Sequence, residues 1–235
     1  MRGVGWVAGP VAGVVAGWVA PLVLGVPPVR EWMRPGLAGR GRARHVALTF
    51  DDGPDPEGTP RVLEALDRLG WTATFFLLGS QVARYPRLAA QVVAAGHEVA
   101  VHGFTHRSHL VRGPADVTRD VDRAARLVAD VTGQVPVWFR PPYGVLTAAS
   151  LVAARRAGLR TVLWTAWGRD WEGGSGGRVA AIVAQQLRPG GTVLLHDSDC
   201  TSAPGSWQAT VAALPLLARL IEPWDCAVGP LREHF

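Results

Sequence analysis

The chain has 235 residues, 48% of them hydrophobic, with a formal net charge of +5, enough for one large α/β domain with a buried core. Every one of the 24 basic residues is Arg, and neither Lys nor Asn occurs. No basic face with groove-reading or base-stacking elements accompanies that charge, which excludes nucleic acid as a partner, and two cysteines, Cys200 and Cys226, are too few for a disulfide framework or a structural zinc site and read as two separate thiols.

Residues 4–29 carry no charge and are rich in Val, Ala, Trp, Leu and Gly. The run is long enough to span a bilayer, and no small-residue cleavage site stands out. Residues 1–29 are therefore expected to be a hydrophobic N-terminal segment, a signal anchor or signal peptide, and 30–44 an Arg/Pro/Gly-rich linker. Flanking Arg is denser after the segment than before it, which by the positive-inside rule would keep the rest of the chain cytoplasmic.

From His45 onward, strands and helices alternate. Strands are predicted at 45–50, 72–78, 97–102, 136–140, 160–166, 192–196 and 225–228. Helices are predicted at 60–69, 81–95, 115–132, 147–157, 177–187 and 206–222. Thr59-Pro60 and Thr147 are helix starts, and Gly70, Gly96, Gly133 and Gly158 fall where helices should end. Such alternation predicts parallel strands covered by helices, and seven strands point to an incomplete or distorted barrel.

Five segments place chemistry at strand ends. The first is Thr49-Phe50-Asp51-Asp52-Gly53-Pro54. Val46, Leu48 and Phe50 alternate with period 2, and Gly53-Pro54 turns the chain just beyond the paired carboxylates. Neighbouring strand residues point to opposite faces, so the two aspartates are expected to do different jobs, one as metal ligand and one as base. The second is His102-Gly103-Phe104-Thr105-His106, two imidazoles four apart at the end of Glu98-Val99-Ala100-Val101. One Asp and two His leave open positions on a metal, the pattern of a catalytic site. His109 nearby reads as a solvated loop residue. The remaining three are Phe139-Arg140-Pro141-Pro142-Tyr143-Gly144, Trp164-Thr165-Ala166-Trp167-Gly168-Arg169-Asp170-Trp171 and Val193-Leu194-Leu195-His196-Asp197. In β/α barrels the C-terminal strand ends build the active site.

As an ordered set, these segments resemble the motifs of the polysaccharide deacetylases, carbohydrate esterase family 4, also called the NodB homology domain. The resemblance covers 45–235 and implies a distorted (β/α)7 barrel behind an N-terminal hydrophobic segment. It implies metal-dependent removal of acetyl groups from N-acetylated sugars of a cell-wall polysaccharide or exopolysaccharide. By resemblance Asp51 is the base, and Asp52, His102 and His106 are the metal ligands. Arg140 pairs with the base, and the Tyr143 backbone amide binds the oxyanion. Asp170 tunes the acid His196, Trp171 walls the pocket and Leu194 touches the acetyl methyl. One oxygen and two imidazoles suit Zn²⁺, with Co²⁺ or Ni²⁺ as substitutes. His196 is expected across the barrel mouth from Asp51.

Two positions depart from the family pattern. Gly103 stands where a Ser or Thr is usual, so weaker orientation of that loop is expected. Trp167 replaces an additional Asp of the fourth motif, with consequences for the substrate groove or the acid. The family and a polymeric substrate place the domain outside the cell membrane, held by the N-terminal segment, or secreted. No protein partner is expected. The alternative function is a membrane-tethered carbohydrate-binding protein with little turnover. A phosphoryl hydrolase is disfavoured, because no phosphate-cradling Gly-rich loop or Lys is present.

Overall fold

A computed structural model describes residues 26–235. The hydrophobic stretch expected as an anchor therefore lies almost wholly outside the described residues. The helices are α1 (Pro27–Met33), α2 (Gly58–Leu69), α3 (Gly79–Arg84), α4 (Pro86–Ala94), α5 (Pro114–Thr132), α6 (Ala148–Arg156), α7 (Gly176–Gln186), α8 (Trp207–Ile221) and α9 (Leu231–His234). The strands are β1 (His45–Asp51), β2 (Thr74–Leu77), β3 (Glu98–Val101), β4 (Trp138–Phe139), β5 (Arg160–Thr161), β6 (Ala166–Trp167), β7 (Thr192–His196) and β8 (Ala227–Gly229). They form one curled sheet in the order β5-β4-β3-β2-β1-β7-β6, with β8 paired to the start of β1. All of its pairings are parallel. This is the distorted barrel expected from the sequence.

All seven residues of β1 are buried, as both faces of a helix-covered parallel strand should be. The two faces bury different things. Val46, Leu48 and Phe50 pack outward with Val62 and Leu66 of α2 and with Leu214 and Leu217 of α8. Ala47 points inward and joins Phe76, Ala100, Trp138, Val162 and Leu231 in the barrel interior. Thr49 and Asp51 share the period of Ala47, so the inner face of β1 ends on a carboxylate. On α5, Val117, Val121, Ala124 and Val128 are buried at helical spacing.

Several boundaries differ from expectation for identifiable reasons. The helix expected over 81–95 is two helices, α3 and α4. Tyr85 breaks out of helical geometry (φ −129°, ψ 58°) immediately before Pro86, which has no N–H to continue the ladder. The strand expected over 160–166 is the two short strands β5 and β6. Between them the Val162 and Leu163 carbonyls accept from the buried Arg140 side chain, and the Leu163 N–H donates to Leu37. Thr147 caps α6 through a reciprocal pair with Ser150, and Gly70, Gly96, Gly133 and Gly158 all have positive φ where helices end.

The stretch 30–44, read as a linker, is laid against the barrel. Arg30 is buried and its guanidinium donates to the Trp164 carbonyl at 3.1 Å. Thr192 Oγ1 donates to the Gly39 carbonyl at 2.8 Å, Gly41 N–H to Gly190 and Arg42 N–H to His234. Removal of residues 1–25 leaves these bonds in place, whereas removal of 1–43 deletes them. We expect thermal denaturation to show a midpoint about 5 °C or more lower for the second truncation than for the first.

Candidate active site

A cavity of about 320 Å³ opens at the C-terminal ends of the strands. Asp51, Asp52, His102, His106, Tyr143, Trp171, Leu194 and His196 all line it, so eight of the ten site residues expected from sequence meet there. The other two, Arg140 and Asp170, are fully buried behind it and each grips one of the eight.

Asp51 ends β1. One of its oxygens, Oδ1, accepts from Arg140 Nη1 at 2.6 Å, while Oδ2 stands 3.7 Å from His102 Nε2. Burial pushes the Asp51 carboxyl above the usual carboxylate range, against the opposing pull of the Arg140 charge. Each nitrogen of the Arg140 guanidinium has a partner. It also donates to Thr49 Oγ1 at 2.9 Å and to the Val162 and Leu163 carbonyls, and it lies over the Phe76 ring at 4.0 Å.

Asp52 lies beyond the strand with φ +79°, a left-handed conformation. That turn brings its carboxylate to the same cavity as Asp51, although adjacent strand residues were expected on opposite faces. Oδ2 accepts from Thr201 Oγ1 at 2.5 Å. Oδ1 has no hydrogen-bond partner, yet sits 3.4 Å from His102 Nε2 and 3.5 Å from His106 Nε2. His102 Nδ1 donates to the Arg140 carbonyl at 2.8 Å, and burial lowers the His102 pKa to about 3, so the ring is neutral and Nε2 carries a lone pair. Two buried acceptors thus face each other with no hydrogen between them. Their ligand atoms and that of His106 all lie within 4.8 Å of one another. Two donors each about 2.1 Å from a tetrahedral ion would stand about 3.4 Å apart, so this trio fits a divalent cation.

The loop holding His102 and His106 is oriented by a carboxylate. Asp120 of α5 accepts from the Phe104 N–H at 2.6 Å and from Thr105 Oγ1 at 3.0 Å, and it pairs with Arg112 at 2.8 Å. Gly103 has φ +90°, and a Cβ there would come 2.9 Å from Asp120 Oδ2. Glycine at 103 is what lets Asp120 approach. His109, expected in solvent, is instead fully buried, parallel to the Phe139 ring, with Nδ1 3.0 Å from Ser150 Oγ. It belongs to the barrel wall, because the short turn His109–Val111 tucks it over β4.

His196 ends β7 and is the direct register partner of Asp51. The two are therefore on adjacent strands and not across the mouth. His196 Nδ1 donates to Asp170 Oδ1 at 3.0 Å, and its backbone N–H donates to Asp170 Oδ2 at 2.6 Å. Thr210 Oγ1 of α8 also donates to Asp170 Oδ2, at 2.7 Å. Burial alone would lower the His196 pKa, but the Asp170 charge and hydrogen bond, with Asp52 and Asp51 nearby, raise it to about 10. Burial likewise opposes the ionised form of Asp170, and the His196 charge and hydrogen bond outweigh it, holding that carboxyl below its ordinary range.

Sequence reasoning missed four supporting residues: Asp120, Thr201, Thr210 and Asp197. Asp197 is fully buried, accepts from Thr59 Oγ1 at 2.5 Å and has its pKa pushed up to about 7 by burial. Only Asp197 carried a signal, as the residue after His196. Both cysteines are free.

The polysaccharide deacetylase family model matches residues 38–162. A curated chitooligosaccharide deacetylase from Bradyrhizobium sp. is 39% identical over 198 residues, 81% of this chain and 90% of the relative. A family 4 carbohydrate esterase from Streptomyces lividans, solved with acetate, superposes with a TM-score of 0.70 at 32% identity, covering 82% of this chain and 93% of that one. A CE4 family pseudoenzyme from Bacillus anthracis superposes with a TM-score of 0.75 at 27% identity, covering 83% of this chain and 67% of that one. The motifs, the curled parallel sheet and these likenesses agree: the chain belongs to the polysaccharide deacetylase family.

Proposed function

We propose that this enzyme hydrolyses the acetamide of N-acetylglucosamine units in a glycan, using a metal at Asp52, His102 and His106, Asp51 as base and His196 as acid. The observation that carries the proposal is the meeting of a partnerless Asp52 oxygen with two imidazole nitrogens beside a base gripped by Arg140. The Bradyrhizobium relative supports oligomers of N-acetylglucosamine as substrate.

Each residue's part follows from its surroundings. Asp52, His102 and His106 would hold a divalent cation, Zn²⁺ by donor type with Co²⁺ or Ni²⁺ as substitutes, which when bound polarises an amide carbonyl and acidifies a neighbouring water. Arg140 occupies Oδ1 of Asp51 and leaves Oδ2 to take the proton of the attacking water. The Tyr143 backbone, in a left-handed turn at φ +60°, offers its N–H to the oxygen on which charge develops. Leu194 and Trp171 receive the acetyl methyl and wall the cavity. His196, kept protonated by Asp170, gives its proton to the leaving sugar amine. Within the same proposal, residues 4–29 hold the domain at a cell membrane on its extracytoplasmic side, or are removed on secretion. Among the described residues no helix is long and apolar enough to cross a membrane. A purely carbohydrate-binding role is disfavoured, since Asp51, Asp52, His102, His106 and His196 are all present and assembled.

The test of the whole reading is acetate release from N-acetylglucosamine oligomers with added divalent metals. No release with any metal by correctly folded protein would overturn it. His102→Ala should lose both stoichiometric zinc, read by elemental analysis, and acetate release, with the circular dichroism spectrum unchanged. Asp51→Asn should keep the metal and lose about 10²–10⁴-fold in turnover, read from the rate of acetate release at saturating oligomer.

The pH dependence follows from the sign of the His196 shift. The acid must be protonated, so kcat/KM falls as pH rises through its pKa. Asp170→Asn removes the charge that raised that pKa, and the alkaline limb should move to lower pH by about one unit or more. A pH profile of kcat/KM for the two proteins checks this. An unmoved alkaline limb would dissociate Asp170 from the acid.

A further inference from the structure

The loop that follows β7 reaches back over the turn that follows β1. Ser198 Oγ accepts from the Cys200 N–H at 3.1 Å, the Asp199 carbonyl accepts from the Ser202 N–H at 3.0 Å, and Asp199 Oδ2 accepts from the Gly205 N–H at 2.7 Å. These bonds close 198–205 on itself, and the Ala203 N–H ties it to the Trp171 carbonyl at 2.9 Å. The loop and the turn are in close contact at their start. A Cβ at Gly53 would come 2.2 Å from Asp197 Oδ2, and one at Gly58 would come 2.2 Å from the Asp197 carbonyl oxygen.

This loop holds Asp52 at two points. The Cys200 thiol donates to the Asp52 backbone carbonyl at 3.5 Å, and Thr201 Oγ1 donates to Oδ2 of the Asp52 carboxylate at 2.5 Å. Asp52 is buried, whereas Thr201 stands exposed at the rim of the cavity. Because Asp52 has left the strand in a left-handed conformation, the sheet does not fix where its side chain points. The terminal torsion of an aspartate is also broad, and its two oxygens are chemically alike. Some neighbour must therefore decide which oxygen meets the imidazoles. Thr201 takes Oδ2, and Oδ1 is left 3.4 Å from His102 Nε2 and 3.5 Å from His106 Nε2.

We propose that Thr201 is a positioning residue for the Asp52, His102 and His106 trio: its hydroxyl holds the Asp52 carboxylate with Oδ1 turned to the two imidazoles, so that affinity for a divalent cation depends on the loop after β7. The inference deepens the deacetylase reading and rests on it for a metal at the trio. Thr201 acts through Asp52 and offers no ligand atom of its own to the trio. A carboxylate already fixed by a hydrogen bond loses less freedom when it takes up an ion, and removal of such outer partners typically weakens metal binding about 10–100-fold.

The experiment is a zinc titration of the metal-free full-length protein in competition with a chromophoric chelator, for the wild-type chain, Thr201→Val and Thr201→Ser. Valine keeps the shape of threonine and puts a methyl where the hydroxyl was, which also denies that place to water. Thr201→Val should raise the Kd for zinc at least about tenfold. Thr201→Ser keeps the hydroxyl and should stay near the wild-type value, and the circular dichroism spectra of the three metal-free proteins should coincide. A wild-type Kd in Thr201→Val overturns the positioning role alone. A loss in Thr201→Ser as large as in Thr201→Val, or an altered spectrum of metal-free Thr201→Val, also overturns it, since either marks packing of the loop and not the hydroxyl. Absence of zinc binding by the wild-type chain overturns the metal reading and the positioning role together. Acetate release by the wild-type chain judges the deacetylase reading separately.

Discussion

The buried pair of Arg140 and Asp51 is the interaction on which the rest of this active site is hung. A guanidinium with no exposure to solvent must have its donors met from within, and Arg140 finds partners along the barrel: Thr49 and Asp51 on β1, and the carbonyls of Val162 and Leu163 beyond β5. Those two carbonyls would otherwise belong to a strand, so satisfying the arginine splits the sheet at the point where it fails to close. The Arg140 carbonyl meanwhile orients His102. Removing one partner of such a pair leaves the other charged and unpaired in the interior, typically at about 3–5 kcal/mol. The same interaction thus sets the Asp51 carboxylate, the His102 imidazole and the gap in the barrel.

Buried carboxylates repeat this organisation at smaller scale. Asp120 collects the loop between His102 and His106, Asp170 collects the end of β7 and the Thr210 hydroxyl of α8, and Asp197 takes the Thr59 hydroxyl of α2. Each ties a loop that carries chemistry to a helix outside the barrel. Positioning thereby passes from long, rigid helices to short loops, and the reacting groups need not rely on loop stiffness. Glycine at 103 belongs to this scheme, because it makes room for the Asp120 carboxylate that holds its own loop.

What the sequence made legible was whatever is local. Period-2 alternation in Val46-Ala47-Leu48-Thr49-Phe50 assigns Asp51 to the barrel interior, and strand-end placement brings Asp51, His102, Arg140 and His196 to one mouth. Glycines and the Thr147 cap mark helix ends because their signals reach only a few residues. Long-range choices were not legible. Nothing near Val162 says that an arginine 22 residues earlier will capture its carbonyl. Nothing near His109 says that Phe139 and Ser150 will enclose it. The left-handed turn at Asp52 moves its carboxylate onto the face of its neighbour, which strand periodicity alone forbids. The fold class followed from alternation, and the precise register of Asp51 with His196 followed from pairing between segments far apart in the chain.

That separation has a bearing on how the molecule comes into being. β1 is made first of the strands, yet it is flanked by β7 and, at its start, by β8, the last of them, and the Thr49 hydroxyl reaches across 144 residues to Val193. The central strand of the sheet therefore waits for β7 and β8 before it can be sheathed on both sides. Such distant partners slow folding, and a nascent chain emerging from the ribosome cannot complete the domain in halves. Asp51 and His196 come side by side only once β7 has been made, so a polypeptide broken off before β7 cannot assemble this pair.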